Sequence, residues 1–291
     1  MNKIGIYFAY WEKCWKADYA KYVRKASGLG FDVLEVEASA LLDMSFDEKR
    51  ILARLAKDNG VELTFCIGLP SMYDIASDDE SVRKNGIEFV KRLLEAIYVT
   101  EGDMLGGILY SCWPKVDESY DNKMRLWENS VRSVRKVSQT ARDYGITYCL
   151  EVVNRFEQLL LNTVKEGMEF VDQVGSPNVK LLLDTFHMNI EEDYIGGSIT
   201  SAKGYIGHFH IGECNRKPPG TGHMPWDEIF GAIKKIGYEG RIVMEPFIKP
   251  GGEVGRDIRV FRDLGEGCDE EEMDGMVVNA LEFVRRKLRE V

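Results

Sequence analysis

The sequence predicts an α/β protein built as a (β/α)8 barrel, a TIM barrel, with residues 1–291 forming a single domain. Three observations carry this expectation. Eight short, largely apolar segments read as strands of a buried parallel sheet. Helical patterns fill the gaps between them, and right-handed crossovers of parallel strands can close on themselves. No linker, low-complexity tract or block of like charge marks a domain boundary. An open doubly wound sheet is the fallback, but no strand is followed by G-x-G-x-x-G and no G-x-x-x-x-G-K-[ST] occurs.

In chain order the predicted strands are 3–9, 33–37, 61–67, 104–110, 146–152, 179–184, 205–210 and 241–245. The opening MNKIGIYFAYWEK lacks a small-residue cleavage site, so it reads as the first strand rather than a signal peptide. After the third strand, Ser77 and Glu80 have capping-box spacing ahead of a face made by Val82, Gly86, Val90, Leu93 and Ile97. Thr163 and Glu166 repeat that spacing before Val164, Met168 and Val171, and Gly175 is placed to end the helix. Pro225 opens a further helix with Ile229, Ile233 and Ile236 inward and Gly237 as its stop. A last helix carries Met276, Ala280, Val284 and Leu288.

Composition narrows the function classes. An apolar content of 44% supports a sizeable core. No apolar run approaches the roughly 20 residues of a membrane helix. The expected compartment is the cytoplasm. The six cysteines are scattered without a C-x-x-C pair and read as free thiols. A net charge of −10 weighs against nucleic acid or an anionic membrane as partner and favours a neutral substrate.

In a barrel the active site gathers at the C-terminal ends of the strands. The last four predicted strands end in ligand-type residues: ITYCLEV at Glu151, VKLLLD at Asp184, YIGHFH at His210 and RIVMEP at Glu245. Carboxylates crowded at low dielectric repel strongly, and a divalent cation resolves that repulsion. Three oxygen donors and one nitrogen suit Mn²⁺, Co²⁺ or Mg²⁺ better than a structural zinc. Taken singly, each residue is equally a polar strand end meeting a loop. Asp184 and His187, three residues apart, leave open a metal pair, a catalytic pair or an ordinary strand end followed by a loop, with His187 expected in that loop. The longest irregular stretches, 68–77, 111–120, 212–224 and 246–268, all follow strands, as loops that build a site do.

Four longer motifs carry a family resemblance: LEVVNRFEQ (150–158), LDTFHMNIEE (183–192), GHFHIGECNRKPPG (207–220) and VMEPF (243–247). With them the chain resembles the ketose 3-epimerases, the D-tagatose and D-psicose (allulose) 3-epimerase group, over nearly its whole length. CIGLPSMYDIAS (66–77) looks closer to the tagatose branch. The resemblance implies one divalent metal, Mn²⁺ or Co²⁺ with Mg²⁺ possible, on Glu151, Asp184, His210 and Glu245. It implies that Glu151 and Glu245 are also the acid/base pair. Glu157, His187 and Arg216 match positions that hold the sugar's first hydroxyls and carbonyl. Tyr7, Trp15, Cys66, Trp113 and Phe247 fall near positions lining the sugar pocket. A monosaccharide substrate and a homodimer or homotetramer follow from the same likeness.

The chemistry explains the residue types. Inverting C3 of a 2-ketose removes a weakly acidic proton beside the C2 carbonyl, so the developing enediolate needs electrophilic help. The proton must leave one face and return on the other, which two carboxylates flanking a planar intermediate achieve. On residues alone, Arg216 reads as an exposed loop cation, Lys217 likewise, His208 as a barrel-interior residue, and Trp15 and Trp113 as core. His223 carries no signal of its own, and nothing marks Cys66 as a nucleophile. Rival readings are an aldose–ketose isomerase on the same barrel, a metal-dependent nuclease and a non-catalytic sugar-binding protein. Against the nuclease stand only four histidines and the acidic net charge.

Overall fold

The eight apolar segments lie side by side and close into a barrel. The structure is a computed structural model that describes residues 2–116 and 119–290. Its strands are β1 (Ile4–Tyr7), β2 (Val33–Glu37), β3 (Glu62–Cys66), β4 (Met104–Gly107), β5 (Thr147–Val152), β6 (Val179–Asp184), β7 (Ile206–Ile211) and β8 (Ile242–Met244). Each is parallel to the next, and β8 pairs back onto β1. The six cysteines are free. No helix among the described residues is long and apolar enough to cross a membrane.

Two strands have the predicted bounds, and the others differ at their ends for local reasons. β1 stops at Tyr7 because Phe8–Tyr10 tightens into a 3₁₀ turn. β4 stops at Gly107, whose φ of +112° takes the backbone out of the extended region. β7 runs on to Ile211, which pairs with Met244. Beyond β8, the Glu245 N–H still donates to the Ile211 carbonyl at 3.0 Å, so the side chain that follows the strand stays anchored to the barrel.

Among the described residues ten α-helices surround the strands: α1 (Tyr19–Gly28), α2 (Phe46–Asp58), α3 (Glu80–Val99), α4 (Lys123–Asp143), α5 (Val164–Val174), α6 (Thr185–Glu191), α7 (Ile195–Ser201), α8 (Trp226–Ile236), α9 (Gly252–Asp257) and α10 (Glu270–Glu290). The Thr163–Glu166 capping box opens α5, and Gly175 closes it in the left-handed region at φ +69°. Gly237 closes α8 in the same way. The predicted Ser77–Glu80 box does not form. Asp79 is the nearer acceptor and caps α3 by taking the Ser81 N–H at 2.7 Å, while the Ser77 hydroxyl accepts from Asp79 N. A capping box that the sequence reading overlooked, Ser45 with Glu48, opens α2. On α10 the buried face is Met273, Val277, Ala280, Leu281 and Val284, rotated slightly from the predicted one. Each such fully buried aliphatic side chain contributes about 1.5–3 kcal/mol.

All four long stretches predicted after strands are present on one rim, although 246–268 contains α9, and Asp117 and Glu118 of 111–120 lie outside the described residues. The β1 end of the rim is tied to elements far along the chain. Tyr10 Oη donates to the Met273 carbonyl at 2.9 Å, Trp11 Nε1 to Asp274 at 2.7 Å, and Trp15 Nε1 to Asp257 at 2.9 Å.

A Cβ at Gly107 would lie 2.2 Å from the Ile67 carbonyl oxygen, a backbone atom that cannot step aside, in a conformation that L side chains avoid. Gly107→Ala is expected to lower stability by about 2–4 kcal/mol, read as a lower urea midpoint than wild type. An unchanged midpoint would refute the close approach of β3 and β4 at this point.

Candidate active site

Four side chains converge where β5 to β8 end. Glu151 is on β5, Asp184 ends β6, His210 is on β7 and Glu245 follows β8. Each offers one ligand-type atom within 4.8 Å of the others, and all four residues are buried. Parallel register makes this possible, since Asp184 lies directly beside His210. His210 Nδ1 stands 3.8 Å from Glu151 Oε1 and 3.6 Å from Glu245 Oε1, and it has no hydrogen-bond partner.

The other edge of the His210 ring meets a carboxylate that sequence reasoning missed. Glu35 Oε1 accepts from His210 Nε2 at 2.5 Å. Glu35 Oε2 accepts from His208 Nε2 and from the Thr64 hydroxyl, each at 2.7 Å. Its signal was the VLEVE of β2, a strand buried on both faces that nonetheless carries two acids. His208 is buried in the barrel interior, as its strand parity predicted.

Arg216 is not an exposed loop cation. It is buried, sits at φ +65°, and its guanidinium stacks 3.8 Å from the Phe186 ring. Its Nη1 donates to Asp184 Oδ2 at 2.9 Å and to Glu245 Oε2 at 2.8 Å. A strained non-glycine residue held this firmly is characteristic of functional sites. His187 lies on α6 rather than in a loop, because Asp184 caps that helix by accepting the Phe186 N–H and so starts it at the strand end. His187 Nδ1 accepts from the Asn154 backbone N–H at 3.2 Å, and its Nε2 lies 3.4 Å from Arg216 Nη2, 3.6 Å from Asp184 and 3.8 Å from Glu151. Asn154, also missed, donates to Glu157 Oε1, while Trp113 Nε1 donates to Glu157 Oε2, both at 2.9 Å.

These groups open onto a cavity of about 560 Å³. Glu151, Glu157, His187, Arg216 and Glu245 line its polar side. Tyr7, Trp15, Cys66, Trp113 and Phe247 line the rest, with Tyr7, Trp15 and Phe247 forming an aromatic wall at ring separations of 6.0–6.4 Å. Trp15 and Trp113, which read as core from residues alone, are only half-buried and face this space. Glu37, Ile67 and Ile108 line it too and were not anticipated. Asp184 and His210 are fully buried beneath it. Lys217 and His223 stay outside, pairing with Glu266 and Cys214.

Electrostatics show what the cluster lacks. Burial, then the neighbouring Glu245 charge, pushes the Glu151 carboxyl well above its usual range. Burial pushes Glu245 up to about 7 despite His210 and Arg216. Burial would raise Asp184 as well, but Arg216 and His187 hold it low. Burial also opposes charge on His210, yet Glu35 and Glu245 push it up to about 10. Three carboxylates thus share too little positive charge, and a buried imidazole nitrogen points at them unpaired. That donor set fits a divalent cation with oxygen and imidazole ligands.

The profile of the xylose isomerase-like TIM barrel family matches residues 23–264. A D-psicose 3-epimerase of Ruminiclostridium cellulolyticum is 48% identical, with 97% of each chain covered. The chain belongs to the ketose 3-epimerase family. A D-psicose 3-epimerase of Agrobacterium fabrum is 45% identical over 97% of this chain and 98% of its own. The crystal structure of a D-psicose 3-epimerase with D-tagatose, from Clostridium cellulolyticum H10, superposes with a TM-score of 0.96 at 48% identity, covering 98% of this chain and 99% of the other. Whole-chain similarity therefore points to relatives named for psicose, where the short segment 66–77 leaned towards the tagatose branch.

Removing the buried counter-charge tests the electrostatic balance. Arg216→Met is expected to cost about 3–5 kcal/mol of stability in chelator, because it leaves buried carboxylates unpaired. The loss should shrink when Mn²⁺ is added, as read by thermal melts of both proteins in both buffers. An equal loss with and without Mn²⁺ would mean that Arg216 acts through packing alone.

Proposed function

We propose that this protein epimerises free ketoses at C3, interconverting pairs such as D-fructose and D-psicose or D-tagatose and D-sorbose. The observation that carries the reading is the pair Glu151 and Glu245. They come from strands three places apart, both face the cavity, and both carboxyls are raised out of the ordinary acidic range. Carboxylates placed on two sides of a substrate can take a proton from one face and return one to the other. The relatives named as psicose epimerases, and the one solved with D-tagatose, support a monosaccharide as the substrate.

In this reading Glu151, Asp184, His210 and Glu245 hold one divalent cation, Mn²⁺ or Co²⁺ with Mg²⁺ possible. When bound, it supplies Lewis-acid stabilisation of the negative charge that develops on the ketose oxygens. One glutamate takes the C3 proton from its face of the sugar, and the other delivers a proton to the opposite face. Their roles exchange with the direction of reaction. His187 presents Nε2, and Arg216 a guanidinium, to the sugar's carbonyl end, while Glu157 is held by Trp113 and Asn154 to accept from a hydroxyl. The aromatic wall of Tyr7, Trp15 and Phe247, with Cys66 and Trp113, packs against the remaining carbons and limits water. We place the enzyme in the cytoplasm as a homodimer or homotetramer, on family likeness.

Turnover in D₂O should place deuterium at C3 of the product, read by NMR. Label confined to C1 would instead establish the aldose–ketose isomerase reading. Glu245→Gln should lower kcat by about 10²–10⁴-fold while still binding Mn²⁺, with ketoses separated by chromatography. Wild-type inertness towards a ketohexose and ketopentose panel with Mn²⁺ would favour the sugar-binding reading.

A further inference from the structure

We propose that Glu35 is a positioning residue that fixes the His210 ring with its proton on Nε2, so that the Nδ1 lone pair faces Glu151, Asp184 and Glu245. This rests on the metal-centre reading above. An ionised carboxylate only accepts, so each ring nitrogen pointing at Glu35 must carry the hydrogen. His210 Nε2 is 2.5 Å from Glu35 Oε1, and that oxygen has no other partner among the described residues. In the neutral form that can ligate a metal, the ring then has a bare Nδ1, the atom that has no hydrogen-bond partner among the described residues and lies 3.6 Å from Glu245 Oε1.

Glu35 is itself held for this task. The Thr64 hydroxyl and His208 Nε2 both donate to Oε2, which stops the carboxylate from rotating and keeps Oε1 for His210. Register puts these groups on one level, with Glu35 beside Thr64 on β3. His210 belongs to the neighbouring layer, two residues beyond His208 on β7. All four residues are at most 1% exposed. A barrel floor can be filled without charge, as Met104, Cys149 and Leu182 do close by. A buried carboxylate with three donors is poor evidence for stability alone, because its desolvation offsets what its partners return. Orienting a ligand histidine through its second nitrogen is a better account of it.

The test compares Mn²⁺ binding by calorimetry to chelator-stripped wild type, Glu35→Gln and Thr64→Val. Glu35→Gln keeps the shape and one acceptor but loses the charge and the second acceptor. Its Mn²⁺ affinity should fall about 10–100-fold, and the visible absorption of the Co²⁺-loaded protein should shift. Thr64→Val should weaken Mn²⁺ about threefold, the loss of one supporting hydrogen bond. A purely structural Glu35 would lower the melting temperature in chelator and leave both metal readouts unchanged. A folded Glu35→Gln protein with wild-type affinity and an unshifted Co²⁺ band overturns the proposal. If that variant does not fold, unchanged affinity in Thr64→Val overturns it. Wild type that binds no Mn²⁺ removes the metal-centre reading, and the role of Glu35 falls with it.

Discussion

Mutual repulsion among Glu151, Asp184 and Glu245 is the constraint on which the rest of this barrel mouth depends. Three carboxylates held within 4.8 Å, out of water, are stable only if positive charge is supplied beside them. Arg216 supplies it from one side and the His210 ring from another. That demand accounts for features that would otherwise be costly. It explains an arginine kept in the left-handed region, a guanidinium pressed onto Phe186, and a fourth carboxylate set behind His210. Parallel strands closed into a ring are what bring these groups together, since no two of the three carboxylates are near in sequence.

The cavity divides along chemical lines. On the β5 to β8 side the groups are charged and interlocked: Asn154 orients both His187 and Glu157, and Trp113 holds the second oxygen of Glu157. On the β1 side the rings of Tyr7, Trp15 and Phe247 stand among Lys16, Glu37, Ser39, Glu253 and Asp257.

Much of this was legible in the residues, and the parts that were not share a physical reason. Eight apolar runs announced the strands because a buried parallel sheet leaves little choice of composition. Glu151, Asp184, His210 and Glu245 stood out because each interrupts such a run near its end. Glu35 did not, since an acid within a strand signals a site only once its partners are known, and His208, His210 and Thr64 come from other strands. Arg216 looked like a loop cation because nothing local tells a buried bend from an exposed one. His187 was placed in a loop because the capping by Asp184 that turns the chain into α6 depends on one side-chain rotamer. The motifs shared with the epimerase family carried the cavity-lining residues that spacing alone left ambiguous.

The ties that run from the β1 rim to distant parts of the chain bear on how the protein matures. Tyr10, Trp11 and Trp15 leave the ribosome early, but the groups that brace this rim, Asp257 and the Met273–Asp274 stretch, are made some 240–260 residues later. β8, which must pair with β1 to close the ring, also comes late. The nascent chain therefore carries an unsealed sheet edge and an unbraced aromatic surface through most of its synthesis. Closure of the ring by β8 buries that edge and completes the cavity.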